Sequence, residues 1–115
     1  MDNSLKYKNA IVELLNEYQA YLSGATLHQK DDRFKILTDE QHNHYQLLVA
    51  GWKADKFRFK VLFHLDIIND KIWLQQNDTE FFIADELVEK GILREDIVLG
   101  FLPVRDRAYS GFAVA

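Results

Sequence analysis

The pair best suited to chemistry in this chain is His64-x-Asp66. Two positions apart on an extended strand, an imidazole and a carboxylate share a face, where they can hold a metal ion or form an oriented acid–base histidine. Glu80 or Glu86 could complete such a site, so a hydrolase using His64 and Asp66 is one functional class to weigh. The plainer reading is a structural hydrogen bond on a half-buried sheet, and a two-residue signal does not rise above it. His42-x-His44 adds two imidazoles that, with His64, could offer three nitrogens to zinc. The pair stands at a strand entrance, however, where solvent exposure accounts for it. With no cysteine and no helical His-x-x-x-His, neither a metal nor another cofactor is expected.

A second group is cationic. Lys56, Arg58 and Lys60 alternate along one strand, with Lys53 near its start, and such a stripe could meet phosphates in a direct DNA-binding accessory factor. A solvated strand face whose charges discourage edge pairing explains it equally simply, and the net charge of −4 opposes autonomous nucleic-acid binding. Arg105, Arg107 and Tyr109 form a third group near the C-terminus, of residue types enriched at interfaces. They could equally staple a tail. There is no glycine-rich phosphate loop, Gly-x-Ser-x-Gly elbow or metalloprotease helix, so no catalytic signature is found.

The elements that must position these residues are legible from periodicity. Tyr7, Ile11, Leu14, Leu15, Tyr18, Tyr21 and Leu22 recur at helical steps, with Asn3 or Ser4 available as a cap and Gly24 as a stop. After a polar connection, Arg33 to Thr38 alternates as an edge strand. His44 to Trp52 and a long strand from Phe57 follow, joined by a turn at Lys53 to Lys56. Asn69-Asp70 suits a tight hairpin into Lys71 to Gln75, because both types tolerate positive φ.

Uninterrupted alternation would put Phe57, Phe59, Val61, Phe63, Leu65 and Ile67 on an inner face. The opposite face would carry the basic stripe with Tyr45, Leu47, Leu62, His64, Asp66 and Trp73, with Tyr45 opposite His64 and His64 beside Gln75. That outer set is too apolar to be left wholly in water, so the C-terminal segment or a second subunit is expected to cover part of it. A second short helix lies near residues 81–90, with Asp78 or Thr79 as cap and Gly91 as terminator. Ile97 to Phe101 is a buried strand, and a tail with Tyr109, Phe112 and Val114 docks.

The expected fold is α+β: an N-terminal helix, an antiparallel meander sheet of four to five strands, the second helix and a docked C-terminal tail. At 115 residues, 48% of them hydrophobic, the chain fits one domain spanning residues 1–115. Asp2-Asn-Ser4 does not open a signal sequence, and no apolar run approaches the ~20 residues of a membrane span. With no cysteine as well, the expected setting is cytoplasmic, with no membrane partner.

Ordered strings along nearly the whole chain resemble the XisI-like family, the fdxN-element excision controlling factors. They are Tyr45-Gln-Leu-Leu48 with Gly51-Trp52, His64-x-Asp66-Ile67, Lys71-Ile-Trp-Leu-Gln75, Thr79-Glu80, Ile83-Ala84 with Glu86-Leu-Val88, Glu95 to Phe101, and Tyr109 to Val114. Asn77-Asp78 stands where the family usually has Asp-Gly, and Leu102 where a histidine commonly precedes the proline. The first is a tolerable turn change. The second means that such a histidine is dispensable in this chain or that its role is lost.

The resemblance implies a non-enzymatic accessory protein named for a DNA element whose programmed excision restores a nitrogen-fixation gene. Its implied companion is an XisH-like nuclease homologue, the recombinase being separate, and the family supplies no catalytic residues. The chain is expected to act through protein contacts, as a homo-oligomer, with a candidate partner surface of Tyr45, Leu62, His64, Asp66, Trp73, Arg105, Arg107 and Tyr109.

Overall fold

A computed structural model of the chain describes residues 3–24 and 32–115. Of the apolar stripe, Tyr7, Ile11, Leu14, Leu15, Tyr18 and Leu22 become the buried face of helix α1 (Ser4–Gly24), whereas Tyr21 is exposed. The polar connection expected after it falls largely outside the described residues. Strands β1 (Arg33–Asp39), β2 (His44–Lys53), β3 (Lys56–Ile68) and β4 (Lys71–Asn77) follow as an antiparallel meander. Helix α2 (Ile83–Glu89) then carries the chain back, so that β5 (Ile97–Leu99) runs parallel to β4. The sheet order is β1-β2-β3-β4-β5, and the expected antiparallel meander is therefore a mixed sheet at its last strand. No helix among the described residues is long and apolar enough to cross a membrane.

All three hairpins carry residues in the left-handed region, Asn43 (φ 61°) standing between β1 and β2. Asn69 (φ 50°) and Asp70 (φ 61°) form the expected two-residue turn, which pairs Ile68 with Lys71, Ile67 with Ile72 and Asp66 with Trp73. Ala54 (φ 56°) turns the chain between Lys53 and Lys56 and sets Trp52 opposite Phe57.

One extra residue then changes the faces of β3. Leu47 pairs with Phe63 but Leu48 pairs with Val61, leaving Leu62 as a β-bulge. Neither carbonyl at the bulge is orphaned: Leu62 accepts from the Asp78 N–H at 2.7 Å, and Val61 from Gln76 Nε2 at 2.8 Å. The faces expected from unbroken alternation are corrected accordingly. Tyr45 lies opposite Leu65, not His64, and is buried with Leu47, Leu62, Phe63 and Leu65 in the core beneath α1. Arg58 and Lys60 oppose Gly51 and Val49 and so share the α1 side, whereas Phe57 and Phe59 turn to the other side and lie more than half exposed. A second shift, between His64 and Leu65, pairs His64 with Gln76 rather than Gln75.

The core takes α1 on one side and the inner sheet residues Phe34, Tyr45, Val49, Leu65, Ile72 and Leu74 on the other. Helix α2 closes it with Ile83, Ala84 and Leu87. Asn77 Oδ1 receives the Thr79 N–H at 3.1 Å and shapes the approach to α2, while Phe82, without a side-chain cap, stands at its N-terminus. Gly91 (φ 96°) ends it as expected, donating to the Val88 carbonyl at 2.9 Å.

Tyr7 ties α1 to the far end of the chain by donating to Asp96 at 2.7 Å. Burial first, and then this bond, push the Tyr7 phenol well above its usual 10. The unfolded chain ionises at lower pH than the folded one, so this contribution is complete below about pH 10 and is lost as pH rises towards the folded value. Tyr7→Phe should cost about 1–2 kcal/mol at neutral pH and flatten the alkaline fall in stability, read by urea unfolding between neutral and alkaline pH. An alkaline limb unchanged in the variant would show that Tyr7 does not govern it.

Candidate functional site

The face of the sheet turned away from α1 has two halves. Towards the β2–β3 turn it is apolar: Trp52, Phe57 and Phe59 are 53%, 53% and 62% exposed. Trp52 and Phe57 rings lie 5.2 Å apart and Phe57 and Phe59 rings 6.3 Å apart, forming a continuous strip. The strip shares its face with the buried Leu48 and Ala50, which pair with Val61 and Phe59. An exposed aromatic run of this kind marks a contact surface more often than a solvated face.

Towards the other end the face becomes a polar network centred on Asp66. Its Oδ1 lies 2.7 Å from both His44 Nδ1 and His64 Nε2, and its Oδ2 accepts from Gln75 Nε2 at 3.3 Å. His64 Nδ1 in turn lies 2.8 Å from Gln46 Oε1. Cross-strand pairing builds this arrangement, since Gln46 opposes His64 and His44 opposes Asp66. Burial would raise the Asp66 carboxyl, but the bonds from His44 and His64 together outweigh it and hold the group below its usual 3.8. The bond to Asp66 likewise raises His44 above 6.5.

Beyond the network, Arg107 covers Trp73 with its guanidinium 5.2 Å from the ring centre. It also donates to the carbonyls of Leu102 (3.1 Å), Val114 (3.3 Å) and Gly100 (3.4 Å). This staples helix α3 (Val104–Arg107) and the terminal segment, whose Ala113 bridges to Val98. The C-terminal segment thus covers the β4–β5 end of the face and leaves the aromatic strip open.

The expected surface residues therefore separate. Tyr45 and Leu62 are buried and offer no surface, because the bulge directs them into the core. His64, Asp66 and Trp73 share the outer face as expected. Arg107 is engaged in holding the tail, whereas Arg105 is largely exposed and Tyr109, expected to dock, is 90% exposed. The basic stripe is divided too. Arg58 pairs with Asp32 at 2.6 Å and Lys60 with Asp78 at 3.1 Å, while Lys53 and Lys56 flank the hairpin turn. Unbroken alternation turns Phe57 and Phe59 inward, so Trp52, Phe57 and Phe59 are missing from the partner surface expected from sequence. The available signal was the run Val61-Leu62-Phe63, where alternation stalls.

Comparison with known proteins places this geometry among close structural relatives. The model of the XisI protein family matches residues 1–114. A XisI-like protein from Anabaena variabilis ATCC 29413 superposes with a TM-score of 0.87 at 36% identity, covering 97% of this chain and 99% of its own. The fdxN element excision controlling factor XisI from the same organism superposes with a TM-score of 0.79 at 32% identity, covering 99% and 100% respectively. No functionally curated protein matches.

The two halves of the face should respond differently to substitution. Asp66→Ala removes the acceptor of two imidazoles and an amide and should cost about 1–3 kcal/mol in urea unfolding. Trp52→Ser, at a ring more than half exposed, should change stability by no more than about 0.5 kcal/mol. Equal costs at the two positions would contradict this division of structural and available surface.

Proposed function

The chain belongs to the XisI family, and from that premise we propose that it is a non-enzymatic accessory factor of the excision-controlling kind. It acts by binding an XisH-like nuclease homologue through the open part of its outer sheet face. The observation that carries this reading is the strip Trp52, Phe57 and Phe59, left uncovered by α1, α2 and the stapled tail. His64, Asp66 and the exposed Tyr109 and Arg105 lie on candidate margins of that contact. Three large rings in one patch offer the rigid apolar anchors on which protein interfaces concentrate their affinity.

Direct DNA contact has less support. Two cations of the basic stripe are paired with carboxylates and share the helix side of the sheet, and the chain is acidic overall. A hydrolase using a serine or threonine nucleophile with His64 and Asp66 also has less support, because among the described residues neither His44 nor His64 is hydrogen-bonded to a hydroxyl.

Co-expression with an XisH-like companion should yield a stoichiometric complex on size exclusion. Trp52→Ser combined with Phe59→Ser should weaken it at least about tenfold, as expected when central aromatic anchors are removed. The isolated chain, sized over a concentration series, tests the homo-oligomer in parallel. A dimer lost in the same double variant would assign the strip to a second copy instead. No complex with the companion, under conditions where both proteins are folded, would sink the proposal.

A further inference from the structure

We propose that His44, His64 and Asp66 form a binding site for a zinc ion on the outer sheet face. Their donor atoms all lie within 4.8 Å of one another, beside a depression of about 160 Å³ lined by Leu37, Thr38, Gln46 and the two histidines. Two imidazole nitrogens and one carboxylate oxygen are a donor set suited to zinc, and three protein ligands leave a fourth position for water or another donor.

The orientation of His64 is the specific observation. Gln46 Oε1 accepts from the Nδ1–H of His64, so a neutral ring presents its Nε2 lone pair to Asp66 Oδ1 at 2.7 Å. In the metal-free protein a proton on Nε2 satisfies this contact, and zinc would take that proton's place between Nε2 and Oδ1. A cation is also served by His44, whose Nδ1 meets the same oxygen from the neighbouring strand. The outer partners have the form that fixes metal ligands elsewhere: Gln46 holds the far nitrogen of His64, and Gln75 holds Asp66 Oδ2.

Zinc bonds of about 2.0–2.1 Å place tetrahedral ligand atoms about 3.3 Å apart, so the two contacts to Oδ1 must open by about 0.6 Å. Rotation of His44, whose side chain is 51% exposed, provides room. His42, bonded to Asp39 at 2.8 Å, lies outside the cluster of donor atoms formed by His44, His64 and Asp66.

The site is tested on the isolated, tag-free chain after chelator treatment, so the outcome is independent of any partner. Calorimetric titration with zinc chloride should show uptake of one ion per chain, and His44→Gln and His64→Gln should each weaken it by about 100-fold or more. Gln46→Leu, which frees the far side of His64, should weaken it about tenfold. His42→Gln should leave it unchanged. Circular dichroism and urea unfolding establish that each variant is folded, and His44→Gln, at a half-exposed position, keeps the test available if His64→Gln unfolds. Absence of one-to-one uptake overturns the proposal, as does uptake undiminished in folded His44→Gln or abolished by His42→Gln.

Discussion

The unpaired Leu62 determines which face every earlier side chain of β3 occupies. A strand has a period of two, so one inserted residue exchanges inside for outside along the whole segment beyond it. Here the exchange takes Phe57 and Phe59 out of the core and turns Arg58 and Lys60 towards α1. The bulge is supported from β4 and the following turn, which supply the donors for the Val61 and Leu62 carbonyls. Its position is therefore tied to the segment that leads into α2.

The two sides of the sheet are consequently specialised. The inner side buries large apolar residues from α1, α2 and five strands, with Tyr18 packed edge-on to Phe63 at 5.7 Å. Among the described residues, the outer side is covered only at its β4–β5 end, where Arg107 joins Trp73 to three backbone carbonyls. Between that covered end and the aromatic strip lies the Asp66 network, which satisfies partly buried polar groups across β2, β3 and β4. One small sheet thus carries a core, a polar cross-link and an open apolar surface.

Family membership rests on a match over residues 1–114 and on superposition over nearly the full length of the chain and its relatives. It does not assign chemistry to the outer face. That face is read from its own side chains: exposed rings at one end, and two imidazoles and a carboxylate at the other.

The sequence by itself determined α1, the four-strand meander, the Asn69-Asp70 turn and the helix ended by Gly91, because periodicity and turn chemistry are local properties. It also placed His64 and Asp66 on one face, since both lie beyond the Leu62 bulge and are two residues apart on β3. Only the tertiary structure decided that Tyr45 and Leu62 are core, that Phe57 and Phe59 are surface, and that His44 joins His64 at Asp66. It likewise decided that β5 runs parallel and that Arg107 seals the tail. The reason is the same in each case: these placements follow from inter-strand register and from packing between distant segments. A bulge that shifts the register by one residue leaves the local apolar pattern almost unaltered while reversing what it faces.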